Sequence, residues 1–157
     1  MSSPESRLKS LGIELPPAPQ PAANYVTSCR SGRLVFLSGQ GPIANGEVVY
    51  AGRVGAELTE EQGYQAARLT ILNSLAILKQ AVGSLDEVTR IVKLLAWVRS
   101  AEGFQRQHVV VNGASDLLVE VFGEQRGRHA RSAVAAHELP FGIAVEIEMV
   151  VEVASSE

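Results

Sequence analysis

The spacing of hydrophobic and polar positions predicts an α+β chain. Residues 25–29 and 33–40 are rich in β-branched and aromatic side chains and are typical of two strands joined by a turn. The Asn45-Gly46 dipeptide predicts a tight turn followed by a short strand. Residues 58–83 have apolar side chains at helical spacing, a Thr59/Gln62 capping box and a final glycine, and therefore predict a long helix.

The second half of the chain continues this order. Residues 87–100 have apolar side chains on both faces of the predicted strand, which indicates a central position in the sheet. Residues 104–124 predict a second helix, weakened by Gly113. Residues 130–138 and 143–154 predict two strands joined as a hairpin at Leu-Pro-Phe-Gly. We therefore expect a mixed β-sheet with two helices packed on one face.

Two further features concern the ends of this domain. Residues 1–22 predict a short helix, with Ser3 as N-cap, followed by an arm that contains four prolines; residues 23–157 form the single domain. Helices on one face leave the other face of the sheet to be buried elsewhere. The apolar content of residues 91–98 and 143–154 makes an oligomer the simplest way to bury it.

Composition restricts the function more than it identifies it. The formal net charge of −3 and the 5% aromatic content argue against a nucleic-acid-binding protein. The single cysteine, Cys29, cannot form an internal disulfide and is interpreted as a packed or edge thiol. No apolar run is long enough to span a membrane, so a cytoplasmic protein is expected.

The candidate chemistry is sparse. His108, His129 and His137 lack metal-ligand spacing, so neither a metal nor another cofactor is expected. The acidic positions of the last strand, Glu146 included, are either a solvated face or the source of a carboxylate that meets Arg131 and a water. A hairpin would set Arg131 near residue 150 and not opposite Glu146, so contact between the two groups would instead require a subunit boundary.

Three segments carry a resemblance that is more specific than these patterns. "FLSGQGPI", "LNSLAILKQAVGSLDEVTRIVKLLAWV" and "ARSAVAAHELPFGIAVEIEMV" resemble the RidA/YjgF family of imine deaminases over residues 23–154. The chain is longer than the short archetype between Phe104 and Arg131, which is typical of a divergent subgroup. The resemblance implies a chorismate mutase-like fold and a homotrimer. Its sheets form a central barrel, and three clefts lie between the subunits.

The resemblance also implies a site and a reaction. Arg131 would bind the carboxylate of a 2-imino or 2-enamino acid, and Glu146 would position the attacking water. Other residues would line the cleft, namely Tyr25, Ser38, Gly39 and Asn112. His129 stands where many members have proline and is either a further cleft residue or a plain loop histidine. Products would be a 2-keto acid and ammonia. The alternatives are a non-catalytic binder of small carboxylates and, less favoured, an endoribonuclease.

Overall fold

A five-stranded sheet forms the centre of the computed structural model, which describes residues 2–155. Met1, Ser156 and Glu157, at the ends of the two predicted domain ranges, lie outside the described residues. The helices are α1 (Pro4–Ser10), α2 (Glu60–Val82), α3 (Gln107–Val110) and α4 (Asn112–Gly127). The strands are β1 (Ser28–Ser31), β2 (Leu34–Gln40), β3 (Ile43–Ala44), β4 (Glu47–Val48), β5 (Val88–Arg99), β6 (Ala130–Ala136) and β7 (Val145–Val153).

The strand order confirms a mixed sheet but corrects the predicted last hairpin. The order is β1-β2-β7-β5-β6, so β5 lies between β6 and β7. Helices α3 and α4 carry the chain back after β5, and β6 therefore pairs parallel with β5. The Leu-Pro-Phe-Gly segment then crosses to the middle of the sheet, where β7 pairs antiparallel with both β2 and β5. The hairpin prediction was wrong because adjacency in the chain was taken for pairing in space.

Helix α2 confirms the capping box read from the sequence. The Thr59 hydroxyl accepts from the Gln62 backbone N–H at 3.1 Å, and the Gln62 side chain accepts from the Thr59 N–H at 2.9 Å. The helix ends before Gly83, which has a positive φ of 89°. Its apolar face is fully buried against the sheet, as Ile71, Leu75 and Leu78 show. These buried side chains fix α2 across the middle strands.

The predicted second helix is in fact two helices, α3 and α4, that meet at Val111. Gly113, in the first turn of α4, lies against the backbone of α2. A Cβ at this position would overlap the Tyr64 carbonyl oxygen and would lie 2.9 Å from its carbon. The glycine therefore does more than weaken a helix, because it permits the close approach of α4 to α2.

The amino-terminal segment is laid over its own domain. Ser3 caps α1 as predicted, by accepting from the Ser6 backbone N–H. Leu8 is only 5% exposed and belongs to the core, and α1 packs against α4. Ile13, Leu15 and Ala18 of the following segment also pack against the core. The four prolines after α1 therefore lie in a segment that packs against the core; we call residues 11–22 the strap.

The sheet has one covered face and one open face. On β7, Val145, Ile147, Met149, Val151 and Val153 are buried beneath the helices, which confirms the predicted alternation. The open face carries large apolar side chains, with Phe36 45% exposed and Val134 43% exposed. Among residues 2–155, no helix is both long enough and apolar enough to cross a membrane.

Replacing Gly113 with alanine tests the close contact of the two helices. The added methyl meets backbone atoms of Tyr64 that cannot move alone, so we expect Gly113→Ala to reduce the free energy of unfolding by about 3 kcal/mol. Gly63→Ala is the matched control, because a Cβ there meets only side-chain atoms at 3.0 Å or more. It should change stability by less than about 1 kcal/mol. Equal losses in urea denaturation would contradict this account of the helix contact.

Candidate active site

Arg131 occupies the start of the edge strand β6 and points toward the helices. The sheet register aligns it with Leu94 on β5 and, through Leu94, with Met149 on β7, both of which are buried under the helices. Its Nη2 donates to the His108 carbonyl oxygen at 2.8 Å, and its Nη1 donates to the Ser115 hydroxyl at 3.0 Å. Helices α3 and α4 therefore hold the guanidinium through one acceptor each.

The partners of Arg131 are neutral. Among the described residues, no carboxylate oxygen lies within 4.0 Å of its guanidinium nitrogens. Partial burial lowers the pKa of Arg131, and the charge of Asp116 acts in the opposite direction. A desolvated cation that has only neutral partners is stabilised when an anion binds to it. Arg131 is consequently suited to hold a carboxylate.

A hollow of about 600 Å³ opens beside this guanidinium. Two of the residues predicted from the sequence, Asn112 and His129, line it together with Arg131. Its other lining residues are Ser115, Asp116, Val119, Glu120, Glu124 and Arg128. We call Asn112, Ser115, Asp116, His129 and Arg131 the arginine half-site.

His129 lies in the short connection between α4 and β6 and lines the same hollow as Arg131. Its Nδ1 is 2.6 Å from the Gly127 carbonyl oxygen, and its Nε2 is 2.9 Å from the Ser115 hydroxyl. Partial burial is the main cause that lowers its pKa below the usual 6.5, and Arg131 and Arg128 lower it further. The imidazole is therefore mainly neutral near pH 7 in the unliganded chain.

Sequence reasoning missed Ser115 and Asp116. Asp116 accepts from the Tyr64 hydroxyl at 2.7 Å, which raises the pKa of Tyr64 to about 12. The signal was available, because residues three and four positions after Asn112 share its helical face. The His108 contribution had no such signal, since it is made by a backbone carbonyl while the imidazole is exposed.

The remaining predicted residues lie around β2 and β7 in two pairs: Tyr25 and Ser38 line one hollow, and Gly39 lies against Glu146. We call Tyr25, Ser38, Gly39 and Glu146 the sheet-face half-site. Ser38 donates its hydroxyl to the Val26 carbonyl oxygen at 2.6 Å, which ties the start of the domain to β2. Gly39 lies under the Glu146 carboxylate, since a Cβ there would come within 2.6 Å of Glu146 Oε2. Only glycine lets the carboxylate rest so close to β2.

Glu146 is half-buried on the open face of the sheet, opposite Trp97 of β5. Desolvation raises the pKa of its carboxyl group above the usual value, and the neighbouring Glu148 raises it further. A carboxyl group with raised proton affinity can exchange a proton with water or a substrate nearer to neutral pH. This environment is suited to a general acid–base group.

Asn73, which is part of the sequence signature, has a supporting role in this half-site. It is 2% exposed, and its Nδ2 donates to the carbonyl oxygens of Gly41 at 3.0 Å and Ile43 at 2.9 Å. These two bonds fix the loop that follows β2. The position of Ser38 and Gly39 thus depends on a buried residue of α2.

The two half-sites lie on opposite faces of the sheet. Arg131 is in phase with buried Met149, whereas Glu146 is out of phase with it along β7. Successive strand residues point to opposite faces, so the two side chains do not meet within one chain. Their presence in one cleft remains a prediction about an assembly of several chains.

The fold and these motifs define a known class of protein. The sequence profile of the YjgF/chorismate mutase-like endoribonuclease family matches residues 5–153, and the chain belongs to that family. The predicted RidA/YjgF membership and the α+β chorismate mutase-like fold are thereby confirmed. The match includes most of α1 and the proline-containing strap.

Individual relatives resemble the chain over nearly its full length. Protein TCP17 of Trypanosoma cruzi is 46% identical over 147 residues, 94% of this chain and 92% of that protein. The crystal structure of Atu1372 from Agrobacterium tumefaciens, a protein of unknown function, is 43% identical with a TM-score of 0.89, and the match covers 96% and 92% of the two chains. A candidate endoribonuclease from Shewanella oneidensis is 36% identical with a TM-score of 0.93, over 97% and 100%.

The raised pKa of Glu146 predicts a pH-dependent cost to stability. Above its folded-state pKa, ionised Glu146 destabilises the fold, and this cost disappears as the pH falls to the unfolded-state value near 4.5. Glu146→Gln should therefore raise the Tm at pH 7.5, and the gain should shrink toward pH 4.5. Scanning calorimetry measures it, with exposed Glu47→Gln as the control. A gain that grows as the pH falls would contradict the assignment.

Proposed function

We propose that this protein hydrolyses reactive 2-imino and 2-enamino acids to 2-keto acids and ammonia, as a homotrimer with its sites between subunits. The observation that carries the proposal is the half-buried Arg131 guanidinium, whose protein partners are the neutral oxygens of Ser115 and His108. Membership of the YjgF/chorismate mutase-like family supports the fold on which this proposal depends, and the resemblance to the RidA/YjgF imine deaminases suggests the reaction.

The arginine half-site suits the substrate carboxylate. Of the five N–H donors of a guanidinium, Ser115 and His108 take two, so three remain for a ligand. Two parallel hydrogen bonds to a carboxylate also orient the adjacent C=N carbon. The group stays charged at every physiological pH. Binding therefore does not depend on the protonation of Arg131 itself.

The sheet-face half-site suits the attacking water. Glu146, with its raised pKa and its position over Gly39, can hold a water and accept its proton. A 2-enamino acid first tautomerises to the imine. As water adds to the imine carbon, Glu146 takes one of its protons and returns it to the imine nitrogen, which gives a carbinolamine. The proton of the carbinolamine hydroxyl then passes to the amino group, ammonia leaves, and a 2-keto acid remains. A placed acid–base group accelerates such a step by about 10²–10⁴-fold. No group of the described residues is assigned to a metal or another cofactor in this scheme.

The trimer is proposed because neither half-site is sufficient alone. The open sheet face carries exposed Phe36 and Val134, which a neighbouring copy would cover. The arginine half-site lies at the β6 edge, whereas Glu146 lies on β7, in the middle of the sheet, and faces its open side. In a ring of chains, one surface of each chain meets a different surface of the next. We propose that the β6 edge of one chain lies against the open sheet face of the next, which would bring Arg131 of one chain toward Glu146 of its neighbour.

Two other functions remain in competition. A binder of small carboxylates without catalysis is favoured by the arginine half-site, whose anion-binding groups come from a single chain. Endoribonuclease activity is the description attached to the Shewanella relative. Against it, the net charge is −3 and the hollow beside Arg131 contains Asp116, Glu120 and Glu124, which repel a phosphate backbone.

An imine generated in situ by an amino-acid oxidase tests the proposal. We expect wild-type protein to accelerate ammonia release over buffer. Arg131→Lys should lower kcat/KM at least tenfold, mainly through KM, because a bidentate contact is lost. Glu146→Gln should mainly lower kcat. Exposed His137→Gln is the matched control and should leave the rate unchanged.

The outcomes separate the three functions. No acceleration by wild type across several amino acids rejects the deaminase. Binding of a 2-keto acid without turnover, unaffected by Glu146→Gln, selects the carboxylate binder. Salt-sensitive RNA binding followed by cleavage selects the endoribonuclease.

A further inference from the structure

A chain of hydrogen bonds connects Arg131 to His129 through Ser115, and its direction follows from the chemistry of its ends. The Gly127 carbonyl oxygen can only accept, so His129 Nδ1, 2.6 Å away, carries a hydrogen. In a neutral imidazole Nε2 is then an acceptor, and the Ser115 hydroxyl donates to it over 2.9 Å. The guanidinium can only donate, and Ser115 Oγ accepts from it at 3.0 Å.

The histidine end of this series of hydrogen bonds is anchored to a closely packed part of the backbone. Gly127 is buried at the end of α4, and a Cβ on it would come within 2.6 Å of the Leu118 carbonyl oxygen. The backbone that anchors His129 is thus packed against the helix that supplies Ser115. The backbone positions that carry Ser115 and His129 are thereby held close together, and the start of α4 is fixed against α2 by Gly113.

Protonation of His129 changes both the hydrogen-bond donors and the charge that these residues present to a ligand. Once Nε2 also carries a hydrogen, it donates to Ser115 Oγ, which has two lone pairs and can still accept from Arg131. The Ser115 hydroxyl no longer donates to Nε2 and can instead donate its hydrogen bond to a ligand in the hollow, which Ser115 and His129 both line. An additional positive charge also appears beside Arg131. Both changes favour a bound carboxylate.

The other charges around the imidazole are divided in sign. Arg131 on β6 and Arg128 in the preceding loop are positive, whereas Asp116, Glu120 and Glu124 on α4 are negative. Asp116 is already bonded to the Tyr64 hydroxyl. Glu120 and Glu124 lie 3.6 Å from Arg68 and Arg128, respectively. Arg131 is left as the cation that an incoming anion would neutralise.

We propose that His129, acting through Ser115, is a positioning residue that couples carboxylate binding at Arg131 to the uptake of a proton. The inference rests on the proposed function, because it assumes that the ligand of Arg131 is a small carboxylate. By thermodynamic reciprocity, a proton on His129 tightens carboxylate binding to the same extent as the carboxylate favours the proton. The site therefore binds its ligand more tightly as the pH falls through the titration of His129.

Calorimetric titration of the full chain with pyruvate, between about pH 5.5 and 8, tests the coupling. We expect the wild-type Kd to fall on the order of fivefold toward the acidic end. In His129→Gln, the amide oxygen still accepts from Ser115 but does not titrate, so the Kd should be flat. Ser115→Ala should retain only part of the slope, and exposed His137→Gln should retain all of it. In parallel, the NMR titration of His129 should shift to higher pH when pyruvate is present.

Two results overturn the inference, and they differ in what they leave standing. If His129→Gln retains the wild-type slope, or if pyruvate does not raise the pKa of His129, the coupling is absent while the anion site and the deaminase remain. If pyruvate binds at no pH, the anion site itself is wrong, and the proposed function fails with the inference.

Discussion

The two-residue period of a β-strand is the constraint on which this site depends. Arg131 is in phase with the buried face of the sheet, and Glu146 is out of phase with it. No rotamer change can bring side chains from opposite faces together through a packed sheet. A single chain therefore presents two separate groups of residues, each with its own support, which the proposed trimer would combine in one site. Any chemistry that needs both groups needs more than one chain.

The scaffold makes the arginine half-site rigid by close backbone packing. Gly113 lets α4 approach α2, and Gly127 brings the end of α4 back against its own earlier turns. Ser115 and the His108 carbonyl are consequently fixed relative to β6, and the guanidinium is held before any ligand arrives. Such preorganisation reduces the entropy that a ligand must lose on binding. The sheet-face half-site uses the same means, with Asn73 fixing the loop after β2.

Local signals in the sequence were sufficient for much of the fold. The Thr59/Gln62 capping box and the alternation along β7 predicted α2 and the buried face of the last strand, because both depend on neighbours in the chain. The pairing of β6 was not predictable in this way, since it depends on where α3 and α4 return the chain. The resemblance selected Arg131, Asn112 and His129, which the structure places in one hollow. Ser115 was missed although it lies one helical turn after Asn112, because that spacing alone does not say which polar residues of the helix face a site.

Subunit complementation tests most directly whether the site is shared between chains. The Arg131→Lys and Glu146→Gln variants, each of which is expected to have a low kcat/KM, would be co-expressed with different tags. Mixed trimers would be isolated through both tags and assayed at low substrate concentration. If each cleft takes Arg131 from one chain and Glu146 from its neighbour, every mixed trimer has one of its three clefts restored, so deaminase activity returns to about a third of the wild-type value. Mixed assemblies that are no more active than either variant alone would contradict the shared site.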